Sequence, residues 1–254
     1  MLTTTEAVVL RTRKFRESSL LAVLFTLACG KVSVIAKGAR GRKSRVAAAL
    51  QPMNHVAAVF YKKESRDLHL LSQCDLVRQQ GRLTDAMDRL AAGMAIVELV
   101  DAVTPAEEQN PALFSLLIRS LAAASSATKN VENALYYFEM SLLENLGFRP
   151  DVHHCYNCGT AVDVTGSGRG LHMGFNGILC ADCSAKGLGL QPLSSAAARV
   201  LQRLQEIEDP EAVTRIALPP PVRGEIAGVL RRFLLGHVEG LRTLRSESVF
   251  SSLL

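Results

Sequence analysis

Tryptophan is absent from the 254 residues, and aromatic side chains of all kinds make up only 5% of them. A binding mode dominated by stacked rings is therefore not expected, and recognition has to rest on charge, with little sequence specificity. Long apolar runs are missing as well. Those present, such as residues 20–25, fall far short of the roughly 18 residues of a membrane span, so no membrane association is expected. At the N-terminus Arg11, Arg13, Lys14 and Arg16 follow the only apolar stretch, which reverses the order of a secretory signal. A cytoplasmic protein is the expectation. Signatures of catalysis are equally scarce. There is no phosphate-binding G-x-x-x-x-G-K-[ST], no H-E-x-x-H and no G-x-S-x-G. The glycine run Gly166-Ser167-Gly168-Arg169-Gly170 lies between two cysteine pairs rather than between a strand and a helix. Acidic residues in the first third are too scattered for a two-metal nuclease site. No enzymatic activity is expected.

What the chain does have is cationic charge, unevenly placed. Residues 1–80 hold 14 basic and five acidic side chains, net +9, against 15 basic and 19 acidic in the remainder, net −4. The field belongs to the N-terminal third, where an anionic partner such as nucleic acid is the natural expectation. Its densest part is Lys37-Gly38-Ala39-Arg40-Gly41-Arg42-Lys43-Ser44-Arg45, with five basic residues and two glycines in nine. Such a flexible cationic loop can follow a phosphate backbone. The candidate DNA-binding set is Arg11, Arg13, Lys14, Lys37, Arg40, Arg42, Lys43, Arg45, Lys62 and Lys63, with Arg16 and Arg66 in the same region. Rings available there for stacking are Phe15, Phe25, Phe60 and Tyr61.

The pattern of residues 1–80 alternates with period two and predicts five short strands at 7–13, 20–27, 31–37, 56–62 and 68–74, with Cys29-Gly30 as a hairpin turn. The connections are too short for the crossover helices of a parallel sheet. A small closed barrel follows. The five-stranded OB-fold suits this spacing, as does another small five-stranded barrel. From about residue 82 the period becomes 3.6. One helix carries Met87, Leu90, Ala91, Met94 and Val97 after Thr84 as candidate N-cap. A second opens at Asn110-Pro111 and buries Leu113, Leu117 and Leu121. A third runs from near Asn130 through Leu135, Phe138, Leu142 and Leu146 to Gly147. These three read as one bundle. Later, Ser194 caps a helix with Val200, Leu201, Leu204 and Ile207. Pro219-Pro220-Pro221 then precedes a long amphipathic helix with Ile226, Val229, Leu230, Phe233, His237, Leu241 and Leu244. The fold class is α+β, with a barrel domain at 1–80 and a helical domain at 81–254 interrupted by a subdomain at 151–187.

That subdomain carries the sharpest motif, Cys155-Tyr156-Asn157-Cys158 followed after 21 residues by Cys180-Ala181-Asp182-Cys183. Each C-x-x-C turn aims two thiolates at one tetrahedral ion, and two such knuckles close a four-cysteine site. Four thiolates leave Zn²⁺ no open position, so one structural zinc per chain is expected. The alternative is a redox pair, which would make the protein a zinc-thiolate redox or sulfur-handling enzyme. His153, His154 and His172 lie close by and read as exposed polar residues. Cys29 and Cys74 are single, in strand-like surroundings.

The chain resembles the RecO family of bacterial DNA repair and recombination mediators. The residues that carry the resemblance run from Leu24-Phe25-Thr26 through Gly30-Lys31-Val32, and on to Ile35-Ala36-Lys37-Gly38-Ala39-Arg40, Lys43-Ser44-Arg45 and Leu50-Gln51-Pro52. They resume at Leu70-Leu71-Ser72-Gln73, Glu98-Leu99-Val100-Asp101, the two cysteine knuckles and His237. The resemblance implies an N-terminal OB-fold, a helical domain and a zinc-finger-like insertion, with all four zinc ligands present here. It implies binding of single- and double-stranded DNA, annealing of complementary strands and, with RecR, assistance to RecA in displacing single-stranded-DNA-binding protein. An apolar groove of the helical domain would receive that protein's C-terminal tail. RecF is a further candidate partner, and the location implied is cytoplasmic and nucleoid-associated.

Overall fold

The computed structural model describes residues 1–41, 44–62, 67–78, 81–165, 170–185, 190–241 and 246. The chain divides into two compact units, Met1–Ser126 with Ser246, and Ala127–Arg242.

The first unit is built on strands β1 (Leu2–Phe15), β2 (Ser19–Thr26), β3 (Gly30–Ala36), β4 (His55–Tyr61) and β5 (Leu68–Arg78), with the short helix α1 (Val46–Ala49) between β3 and β4. They close into a barrel in the order β1-β2-β3-β5-β4. All neighbours are antiparallel except β3 and β5. This is the OB-fold arrangement. β1 extends five residues further toward the N-terminus than the alternation predicts, because closure demands it. Its first half pairs with β4, from Leu2 opposite Tyr61, and its second half with β2, ending with Phe15 opposite Ser19. A bulge between Val9 and Arg11 bends it from one partner to the other. The interior is filled by alternate residues, among them Val9, Leu24, Val34, Val56, Phe60 and Cys74. Burial, with Asp75 beside it, raises the Cys74 thiol to about 12, so it behaves as a small apolar side chain.

The barrel's outer surface is also apolar in one region. Val8, Leu10, Val23, Phe25 and His55 are buried although they lie outside the interior cluster. A pair of helices, α2 (Met87–Val103) and α3 (Pro111–Ser126), belongs to the same unit. The Phe114 ring lies 6.2 Å from Phe25 and 6.1 Å from His55. Gly93 lets α2 approach, since a Cβ there would come within 2.6 Å of the Met53 sulfur. Asn110 caps α3 by accepting from the Leu113 amide at 2.9 Å. Thr84 does not cap α2. It sits in a 3₁₀ turn, Gly81–Thr84, whose Leu83 is fully buried, and the N-cap position falls to Ala86.

The connection from α2 to α3 straps back over the β2–β3 turn. The Glu107 amide donates to the Lys31 carbonyl at 2.9 Å, and Lys31 bridges Ala106. Gly30 makes this close approach feasible: its φ is +66°, and a Cβ there would lie 1.9 Å from the Glu108 carbonyl oxygen.

In the second unit α4 (Glu132–Asn145) is buried nearly all round and packs with α6 (Ser195–Glu206), α7 (Pro210–Val213) and α8 (Pro220–His237). The expectation of one bundle from the three successive helices is therefore corrected. The apolar faces of α2 and α3 are used within the barrel unit, which runs to Ser126. Asn133 secures α4 by donating to the carbonyls of Val213 and Ile216 at 2.9 and 2.8 Å. The cysteine-bearing insertion lies in this unit. It holds a small sheet of β6 (His172–Met173), β7 (Ile178–Leu179) and β8 (Gln191–Pro192), in the order β7-β6-β8, and the one-turn helix α5 (Ala181–Ser184). Ser194 caps α6 through the Ala197 amide, as expected. Among the described residues no helix is long and apolar enough to cross a membrane.

Candidate nucleic-acid interface and metal centre

Strand register decides where the cations go. Phe15 faces Ser19 and Leu20 faces Ala36, so the end of β1, the start of β2 and the end of β3 share one end of the barrel. Arg13 and Lys14 leave β1 there and Lys37 leaves β3, all exposed. The chain after β3 folds back onto the β1–β2 turn. Ala39 is buried against the barrel interior, and Arg40 donates from its backbone to the Ser18 carbonyl at 3.0 Å and from its guanidinium to the Glu17 carbonyl at 2.7 Å. Arg40 thus gives its hydrogen bonds to neutral carbonyls and has no carboxylate partner among the described residues. Arg16, whose guanidinium carbon lies 5.4 Å from the Phe15 ring centre, and Arg45, just before α1, complete the described set. Glu17 is the acidic residue of the β1–β2 turn.

Two expected members stand elsewhere. Arg11 pairs with Asp101 of α2 at 2.6 Å, and the same carboxylate takes Lys31 at 3.5 Å. Lys62 lies beside the start of β1, its carbonyl accepting from the Met1 ammonium, and pairs with Glu107 at 2.8 Å. Both cations have carboxylate partners within the unit. The Lys62 ammonium holds the Glu107 carboxyl below its ordinary 4.5; partial burial opposes this, and His69 at 3.0 Å adds to it. Arg42, Lys43, Lys63 and Arg66 lie outside the described residues. Of the four expected rings, Phe25 and Phe60 are fully buried and cannot meet a base. Phe15 is half-buried and Tyr61 exposed.

The four cysteine sulfurs come together as the spacing predicts, all within 4.8 Å of one another. Each knuckle is held by the backbone. Gly159 donates to the Cys155 carbonyl at 2.8 Å, and Tyr156 donates to the Ile178 carbonyl at 3.0 Å, tying the first knuckle to β7. Cys180 precedes α5 and Cys183 sits within it. The Cys158 and Cys180 sulfurs are 3.8 Å apart. A tetrahedron with metal–sulfur bonds of about 2.3 Å has edges of about 3.8 Å, so the cage fits a thiolate-bound ion. Burial works against ionising Cys155, but backbone amides of Cys180, Cys158 and Asn157 outweigh it and bring the thiol to about 6. At Cys183 the Asn157 amide favours the thiolate, yet the neighbouring sulfurs of Cys180 and Cys158 prevail and push it to about 12. Four thiolates crowded without a cation repel one another, and a divalent ion removes that conflict. Among the described residues the cluster contains no histidine. The His172 ring bonds the Gly170 carbonyl at 3.0 Å, and the His154 ring lies 3.8 Å from Asp151.

With this geometry in place, comparison with known proteins is decisive. Residues 1–80 match the family model described as recombination protein O N terminal, and residues 85–246 the one described as recombination protein O C terminal. The chain belongs to the RecO family. Its relatives include the DNA repair protein RecO of Salinibacter ruber, 36% identical over 98% of this chain and 93% of the relative, and that of Symbiobacterium thermophilum, 32% identical over 98% and 96%. The RecO of Bacillus pumilus is 30% identical over 92% of this chain and 88% of its own. The RecO family is one of DNA repair and recombination, and the barrel, helical region and four-cysteine cluster of this chain have its form. Sequence reasoning missed the carboxylates, Asp101 and Glu107, that neutralise Arg11 and Lys62. They lie 90 and 45 residues from their partners, and no local pattern signals such pairs.

Proposed function

We propose that this RecO-family chain is a non-catalytic, cytoplasmic and nucleoid-associated DNA mediator. It binds single- and double-stranded DNA through the basic end of its barrel and anneals complementary strands. The observation that carries the reading is the convergence of Arg13, Lys14, Arg16, Lys37, Arg40 and Arg45 on one barrel end; in the sequence Arg42 and Lys43 fall between the last two. Annealing requires that phosphate repulsion between two strands be offset while base edges stay free. A cationic surface with few exposed rings meets both needs, because it holds backbones without competing for bases.

The four cysteines fit a structural zinc, which would pin the two knuckles and supply folding free energy, typically about 10–16 kcal/mol in finger peptides. Family membership supports RecR and single-stranded-DNA-binding protein as partners, RecF as a further one, and assistance to RecA loading as the outcome. The test is annealing of complementary oligonucleotides, each coated with single-stranded-DNA-binding protein, followed by fluorescence without nucleotide. Acceleration by the wild-type chain, lost on reversing Lys37, Arg40 and Arg45, is expected. Absence of acceleration with and without RecR would overturn the annealing role.

A further inference from the structure

Within the second unit, three rings stand in a column near the end of α8. His237 stacks on Phe233, with centroids 4.1 Å apart and planes at 17°, and on Phe175, again at 4.1 Å, with planes at 27°. Two rings this close to parallel cannot share one face of an imidazole, so His237 is sandwiched. Its Nδ1–H donates to the Phe233 carbonyl at 2.9 Å, which fixes the ring's orientation. Phe148 closes the side at 5.2 Å. The column ends at Phe175, which is 62% exposed. With one face against His237, a ring so exposed presents its other face to solvent.

Phe175 is not on a loose loop. It lies in the four-residue turn between β6 and β7, closed by the Gly174 amide on the Gly177 carbonyl at 2.9 Å. The Asp151 amide donates to the Asn176 carbonyl at 3.1 Å, and Ile178 donates back to the Asp151 carbonyl at 2.7 Å. Tyr156, itself partly exposed, crosses Gly174 where a Cβ would come within 2.8 Å of its ring. A cavity of about 640 Å³ opens here, with Tyr156, Phe175 and His237 on its walls and the exposed cation Arg232 among its lining groups.

We propose that Phe175, backed by His237 and Phe233, is a base-stacking platform for single-stranded nucleic acid, with Arg232 meeting a backbone phosphate. The proposal rests on the DNA-binding reading above and adds a stacking site in the second unit to the charge-based site on the barrel. Any base has a π-face to lay on a rigid, backed ring, so such a platform is sequence-tolerant, and a neighbouring arginine supplies the backbone contact. The column selects its own outermost ring for this role: His237 has both faces covered, and Phe233 is buried.

The chain's lack of tryptophan supplies the test. In the full-length protein Phe175→Trp introduces a single tryptophan at the platform. Addition of an oligo-dT strand should quench its emission saturably, with affinity near wild type. Phe175→Ala should weaken oligo-dT binding about 5- to 150-fold, the range that stacking one base supplies, without changing the salt dependence. Since Phe175 is exposed, its unfolding temperature should stay within about a degree or two of wild type. Unquenched tryptophan emission together with unaltered affinity of Phe175→Ala, in a wild-type chain that binds the strand, would overturn the platform alone. A wild-type chain that does not bind the strand would overturn the DNA-binding reading and the platform with it. Self-association in sedimentation that disappears in Phe175→Ala while DNA affinity holds would also overturn it, marking the column as a protein-docking face.

Discussion

Neutralising Lys14, Lys37 and Arg45 together, each to glutamine, isolates the electrostatic contribution of the barrel end. All three are exposed. If each of the six described cations there meets one phosphate of a single strand, the slope of log K against log salt is about −4.2, at about −0.7 per contact. Removing three contacts reduces it to about −2.1. The same coefficient sets the loss at a given salt concentration. At 0.1 M each contact contributes about 0.7 log unit, so the triple variant binds about 100-fold more weakly, and the gap closes as salt approaches 1 M. Fluorescence anisotropy of a labelled oligo-dT strand across a salt series reads both quantities. Thermal unfolding should be nearly unchanged, since exposed substitutions usually fall within about 0.5 kcal/mol. An unchanged slope would place the phosphate contacts elsewhere. A loss equally large at all salt concentrations would mean that the substitutions damage shape rather than remove charge, and either result refutes the reasoning.

Other consequences follow from particular contacts. Cys158→Ser should reduce bound metal from one per chain to none by elemental analysis and strip hydrogen-exchange protection from the Tyr156 amide, while protection of the barrel strands persists; metal-free wild-type protein with a protected Tyr156 amide would contradict this. Gly30→Ala meets both a left-handed backbone, costing about 1–2 kcal/mol, and the Glu108 carbonyl, whereas Gly38→Ala at φ +68° faces open space. The first should therefore lower stability clearly more than the second and expose the Glu107 amide to exchange; equal losses in chemical denaturation would argue against a tight strap. Because the folded-state pKa of Glu107 is depressed, its pair with Lys62 and His69 stabilises above about pH 4.5 and is lost as pH falls through the lower folded value. Glu107→Gln should thus lower stability at neutral pH and flatten the acid limb of the stability curve, and an unchanged acid limb would assign that limb to other carboxylates.

Local pattern carried far in this chain. Period-two alternation located all five barrel strands, since one face of each fills a single interior. Asn110 and Ser194 announced their helices because capping is settled within three residues. Thr84 misled for the reason that a buried neighbour, Leu83, takes the preceding turn inward. The outer patch of Val8, Val23 and Phe25 was recorded in the sequence only as unbroken hydrophobicity, and nothing local says that α2 packs on β1 or that Phe114 of α3 meets Phe25.

By itself the sequence determined the features that repeat at short range: the barrel strands, the four-cysteine cage and a cationic N-terminal third. A C-x-x-C turn converges two sulfurs whatever surrounds it, and net charge does not depend on folding. The tertiary structure alone decided which of these cations acquire carboxylate partners. Arg11 and Lys62 looked like Lys14 and Lys37 in the chain, but the packing of α2 on β1 brings Asp101 to Arg11, and the return of residues 104–110 brings Glu107 to Lys62. The same is true of the Phe175–His237–Phe233 column, whose members are separated by up to 62 residues. Pairing over such distances depends on three-dimensional closure, and no periodicity in the chain encodes it.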